Sequence, residues 1–115
     1  MKDNKKFNIV KPHFRWHKKK YNTNSGLKNH PALIVGSNDN EYAYNSLTHS
    51  SKSSNRKNRL LSKNPNSKDN RKVYLRKEVR SDSKGNFRKV IKHMKLDPKD
   101  EREILDIIKR NKHFN

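Results

Sequence analysis

Only one stretch of this chain, Ala32-Leu33-Ile34-Val35, sets four apolar residues in a row. A half-buried strand alternates apolar and polar side chains, whereas an unbroken run of this length fits a strand covered on both faces. Gly36-Ser37-Asn38-Asp39-Asn40 follows, a turn in which several residues tolerate positive φ. Glu41–His49 then returns as a second strand. Tyr42, Tyr44, Ser46 and Thr48 share one of its faces, and Ala43, Asn45, Leu47 and His49 share the other. The two strands make a hairpin, and both faces of its first strand need a cover.

Material for that cover is scarce. Of 115 residues, 28% are hydrophobic and 36% charged, so the chain fits one domain with a small core. Core elements are expected within residues 7–49 and 72–112, with residues 1–6 flexible. Phe7–Val10 is a short β-prone run that Pro12 should stop, and Phe14-Arg15-Trp16-His17 alternates with the period of a strand. Trp16 belongs inside, because a chain so poor in apolar residues needs its one tryptophan there. Tyr21–Asn29 has loop chemistry, and His30-Pro31 opens the apolar strand. Val73, Leu75 and Val79 share one side of a later strand, Ser81–Gly85 is a turn, and Phe87–Met94 is a short strand or irregular. The last element is a helix. Asp97 can cap it, Pro98 suits its first position, Asp100 and Glu101 meet the positive end of its dipole, and Lys109-Arg110 the negative end. Ile104, Leu105, Ile107 and Ile108 supply its apolar stripe. The expected fold is mainly β with a C-terminal α-helix: a small antiparallel barrel or twisted sheet with a long basic loop.

Thirty Lys and Arg against 11 Asp and Glu give a formal charge of +19. From Asp97 onward five basic and five acidic residues cancel, so residues 1–96 carry all of it, 25 against six. A basic body beside a neutral end points to a polyanionic partner for the body. Charge is dense in Ser50–Lys72, where eight positions are Lys or Arg and Leu60 and Leu61 are the apolar residues. Residues 50–71 read as a mobile loop that orders on a nucleic acid. No apolar run approaches the ~20 residues that span a bilayer, and the N-terminus leads into no signal-peptide core. Lacking cysteine, the chain has no disulfides or thiol chemistry. A cytoplasmic setting is expected, and the Lys- and Asn-rich composition points to a bacterium or an infecting phage.

His13 and His17 are four apart, but on a strand that separates them by ~13 Å, and no metal or other cofactor is expected. Gly-rich phosphate loops and a nucleophile elbow are missing. What remains is the far end of the hairpin. With the turn near residues 38–39, an antiparallel register brings His30 close to Thr48-His49, followed by Ser50 and Lys52. Metal-independent RNA cleavage needs a base for the 2′-hydroxyl proton, an acid for the leaving oxygen, and donors for charge on phosphorus. His30 and His49 suit proton transfer, and Thr48, Ser50 and Lys52 suit charge stabilisation. Lys28, Lys52, Arg56, Lys57, Arg59, Lys63 and Arg71 are candidate phosphate contacts, with Tyr42 and Tyr44 as stacking surfaces. Two non-catalytic readings stand beside this one: a nucleic-acid-binding protein of a phage or mobile element, and a basic partner or inhibitor of an acidic protein.

Lys28-Asn-His-Pro-Ala-Leu-Ile-Val-Gly-Ser-Asn-Asp39, with Leu47-Thr48-His49-Ser50 and the helix beginning at Asp97, resembles the MazF/PemK-like superfamily, which includes toxin ribonucleases of toxin–antitoxin systems. The resemblance implies an SH3-like barrel, metal-independent endoribonuclease activity on RNA rather than DNA, and an antitoxin protein or RNA as partner. The family's basic residue before proline matches His30, and its catalytic Thr or Ser matches Thr48 and less closely Ser50. Histidine in place of arginine departs from the pattern: it can carry a proton but lacks a permanent, bidentate phosphate contact.

Overall fold

The computed structural model describes residues 6–20, 27–53 and 56–115. Among them run β1 (Asn8–Lys20), β2 (Leu27–Ser37), β3 (Glu41–Thr48), β4 (Lys52–Ser53), β5 (Arg56–Lys57), β6 (Arg59–Leu60), β7 (Tyr74–Leu75), β8 (Arg80–Ser83), β9 (Phe87–Val90) and α1 (Pro98–Lys109). The architecture is the expected one, an antiparallel β-sheet with a C-terminal helix. No helix of the described residues is long and apolar enough to cross a membrane.

β2 lies at the centre, hydrogen-bonded to β1 on one edge and β3 on the other. Its apolar run is buried on both faces. Leu33 and Val35 enter the larger cluster, with Phe7, Phe14, Ala43, Leu61, Leu75, Ile104 and Ile108. Ala32 and Ile34 enter a smaller one with Tyr44 and Phe87. β9 pairs with the outer edge of β1, while β8 and β7 divide the outer edge of β3 at Glu41–Tyr44 and Leu47–Thr48. A single 3-10 turn, Lys84–Asn86, joins β8 to β9, so one short segment bridges the two edges of the β1–β3 meander and the sheet curls like a barrel.

The expected strand over Val73–Val79 is confined to Tyr74–Leu75, and three further local expectations need correction. Pro12 does not stop β1; it sits between Ile9↔Gly36 and His13↔Ile34, where the register shifts, and an irregular ladder spares the N–H that proline lacks. His30-Pro31 does not open β2, which begins at Leu27; the ladder to β3 ends at Ala32↔Ser46, so Pro31 has no bond to supply there. Ser81–Ser83, read as turn, belongs to β8 because the free edge of β3 accepts it, and the turn falls on Lys84–Asn86. The expected loop at Tyr21–Asn29 lies in part, residues 21–26, outside the described residues.

The helix begins as expected, with Asp97 accepting from the Lys99 N–H at 3.2 Å and Pro98 at the first position. Ile104 and Ile108 face the core, and Ile107 stays 45% exposed. Beyond α1, Phe114 packs on Phe7 and on Gly36, where an added Cβ would collide with the Phe114 ring. Phe7 N–H donates to the His113 carbonyl, and Asn115 N–H to the Phe7 carbonyl, both at 2.9 Å. These bonds fasten the end of the chain to the start of β1.

The basic segment 50–71 is long, and it is anchored near its middle. Leu61 is buried, its N–H donating to the Val73 carbonyl. Asp100, 1% exposed in the first turn of α1, accepts the Ser62 N–H at 2.9 Å and the Ser62 hydroxyl at 2.7 Å. Arg59 pairs with Glu103 one turn further along. Asp100→Ala should remove the acceptor of two Ser62 donors and cost about 1 kcal/mol, since Ser62 is itself exposed and water can replace part of what is lost. Asp100→Asn, which keeps one acceptor, should cost less. Urea unfolding measures both, and trypsin should cut the Asp100→Ala protein faster within residues 56–72.

Candidate functional site

The β2–β3 ladder passes Ile34↔Tyr44, Leu33↔Asn45 and Ala32↔Ser46. Beyond Ala32↔Ser46 the ladder stops, with His30 and Thr48 each two residues further along its strand. There the strands open into a cavity of about 390 Å³ whose wall includes His30, Thr48 and His49. Trp16, Pro31, Leu47, Val73 and Met94 give it apolar surface, and Asn64, Asn66, Asp69, Arg71 and His93 complete it. Trp16 does both jobs: it packs against the larger core and lines the cavity.

His49 is oriented by its backbone partner. Nδ1 lies 2.9 Å from the Lys72 carbonyl, which can only accept, so Nδ1 carries the proton and donates. Nε2 is then the nitrogen left for chemistry. Thr48 Oγ1 accepts the Ser50 N–H at 3.1 Å, closing a small turn that directs the chain out of β3. Ser50 itself contributes that N–H and a carbonyl to Asn58, and its hydroxyl is not part of the cavity wall.

The opposite wall is built by asparagine and aspartate. Asn64 Oδ1 accepts the Asn66 N–H, Asn66 Oδ1 the Lys68 N–H, and Asp69 Oδ1 the Arg71 N–H, all two residues on. Asn64 Nδ2 reaches across to the Arg71 carbonyl, and Lys95 N–H donates to the Pro65 carbonyl. These side-chain turns give a polar, glycine-free segment a fixed course without secondary structure. They present Arg71 in a two-pronged contact with Asp69, at 3.0 and 2.8 Å. The Arg71 side-chain and backbone N–H groups hold the Asp69 carboxyl well below the usual carboxylate range, and its hydrogen bond to Asp69 raises Arg71. Both stay ionised beside His49.

The other expected contacts divide. The β4–β5 hairpin springs from the chain just after His49 and presents Lys52, Arg56 and Lys57 to solvent. Lys63 is exposed on a cleft that shares Asn64, Asp69 and Arg71 with the cavity. Lys28 lies in β2, and its side chain falls outside the described residues. Arg59 is corrected: it is half-buried against Glu103 and faces a different part of the surface. Tyr44 is corrected too, being 5% exposed between His17 and Phe87, with no ring face to offer a base. Tyr42 packs its edge on Phe87 and carries Arg15 and Lys84 over its ring, 5.2 and 5.3 Å from the centroid.

Sequence reasoning missed His93 and the cations beside it. A wide cleft containing Arg15, Arg88, Lys89 and Lys92 meets the cavity at Trp16 and His93. A short strand within Phe87–Met94 was one of two readings of the sequence, but its pairing with β1, which places His93, was not legible. Among the described residues no group of three or more His, Asp or Glu is arranged to hold a metal ion. No family model, curated protein or solved structure matches the chain.

One further polar pair is structural. His17, 3% exposed, stacks on Phe87 at 4.4 Å between centroids and donates from Nε2 to Asp82 at 2.7 Å. Burial pushes the Asp82 carboxyl up, but hydrogen bonds from His17, Asn86 and the Ser83 N–H outweigh it and leave the group below its ordinary 3.8. A carboxylate favoured by the fold binds protons more weakly than in the unfolded chain, so its contribution is present above that value and lost as pH falls through it. Thermal unfolding followed from pH 6 to 2.5 should show a midpoint falling below about pH 4. Asp82→Asn should start lower and fall less steeply.

Proposed function

We propose that the protein binds RNA and cleaves it without a metal ion, as an endoribonuclease of toxin–antitoxin type acting in the cytoplasm. The observation that carries this reading is the convergence of His30, Thr48, His49 and Arg71 on one cavity flanked by basic clefts. The MazF/PemK-like resemblance of the same hairpin supports it independently.

His49, its Nδ1–H held by the Lys72 carbonyl, takes the 2′-hydroxyl proton on Nε2; the carbonyl steadies the imidazolium that forms. The 2′-oxygen attacks phosphorus, and the 5′-oxygen departs with a proton from His30, leaving a 2′,3′-cyclic phosphate. Thr48 and the charge of Arg71 stabilise the non-bridging oxygens, a role in which an arginine keeps its value although Asp69 occupies part of its fork. Trp16 offers the cavity's aromatic surface for a base. The Lys52–Lys57 hairpin and the cations near His93 hold phosphates to either side. An antitoxin, protein or RNA, would silence the site by filling it.

Labelled single-stranded RNA incubated in EDTA should be cut, and His49→Ala, His30→Ala and Thr48→Ala should each slow cutting. The two histidine variants should lose about 10²–10⁴-fold, the usual worth of acid–base catalysis. Binding without cleavage by the wild-type protein would make it a non-enzymatic RNA-binding protein, and no binding at low salt would leave an acidic protein as its partner. With six or more phosphates held, affinity should fall by about 10³-fold or more between 50 and 200 mM salt.

A further inference from the structure

A second concave surface lies under the helix and shares no residue with the histidine cavity. Its floor is aliphatic, with Leu75 and Val79 from the sheet side and Ile104, Ile107 and Ile108 from α1. Ile107 is 45% exposed, and among the described residues it shares that exposure only with Leu60 and Val90 as large aliphatic side chains. Three cations, Arg59, Arg76 and Lys77, stand around that floor. Glu103 takes one amino group of Arg59, yet the buried Nε–H of the same guanidinium has no acceptor.

We infer that this groove is a docking site for an acidic peptide segment of a partner protein, which inserts one large aliphatic side chain beside carboxylates. The cavity is about 120 Å³, enough for one such side chain and too confined for a nucleotide. The lining's one amide, Asn45, commits its Nδ2 to the Arg76 and Glu78 carbonyls, so the floor offers a nucleobase little hydrogen bonding, and the concave shape with a single protruding isoleucine suits a membrane poorly. The rim of Arg59, Arg76 and Lys77 selects for negative charge, and a carboxylate carried in by the segment would meet it there. Arg59, expected from the sequence to hold phosphate, would then hold a carboxylate instead. The site is separate from the proposed RNA cavity and does not depend on that assignment.

Two fluorescein-labelled acidic peptides of equal charge test this, one with a central leucine and one with glycine in its place. Fluorescence anisotropy should show the leucine peptide binding roughly tenfold or more tightly, the worth of one buried aliphatic side chain. Ile107→Asn, an exposed and charge-neutral change, should erase the difference while leaving thermal unfolding and RNA binding as they were. Lys77→Gln should weaken both peptides. Equal binding of the two peptides overturns the proposal, since charge alone would then explain it. So does a leucine advantage that survives Ile107→Asn. Sedimentation showing wild-type self-association that Ile107→Asn abolishes would assign the groove to a second copy of the chain, and would overturn it as well.

Discussion

Burial of β2 on both faces is the constraint from which the rest of the structure takes its position. A strand with Leu33 and Val35 on one side and Ala32 and Ile34 on the other needs two layers of cover, and a chain with few apolar residues must find both. The helix and the segment around Leu61 and Val73 cover one side, and Tyr44 with Phe87 covers the other. Because β8 and β9 reach opposite edges of the meander through one turn, Phe87 is carried over the second face as the sheet curls. The open end of the same hairpin is where His30 and Thr48 meet. The core and the candidate site are therefore consequences of one strand pairing.

The acidic residues explain how a chain of such charge can fold and still present a cationic surface. Asp82 holds His17, Asp100 holds Ser62, Glu103 holds Arg59, Asp69 holds Arg71, and Asp97 caps the helix. Each is engaged in a local structural contact. Among the described residues most lysines face solvent, so the field outside the molecule is strongly positive. A polyanion meets cations, while these five carboxylates are already engaged from within.

Legibility followed the range of the interaction involved. The α1 cap at Asp97, the double-faced β2 and the hairpin register are local patterns, and each appeared where period and turn chemistry placed it. The course of Asn64–Arg71 was written in the sequence as well, in Asn and Asp side chains that bond two residues ahead, but charge density obscured it. Arg59 and Tyr44 were misplaced for another reason. Nothing near Arg59 reveals Glu103, 44 residues away, and nothing near Tyr44 reveals that Phe87 will lie over it.

By itself the sequence determined the class of fold and the hairpin that brings His30 and Thr48 to one end of the sheet, because period-two patterning and a turn are enough to set a register. It also determined that the body would be a strong cation. Only the tertiary structure decided which histidines share a cavity, since His93 and Arg71 arrive from segments whose position depends on β9 reaching β1 and on Asp100 fixing Ser62. Only it decided that Ile107 would remain outside, because a helix resting on a curled sheet buries Ile104 and Ile108 along one line and leaves the next position at its rim. Side chains distant in sequence meet through packing, and packing is settled only when all the layers are in place.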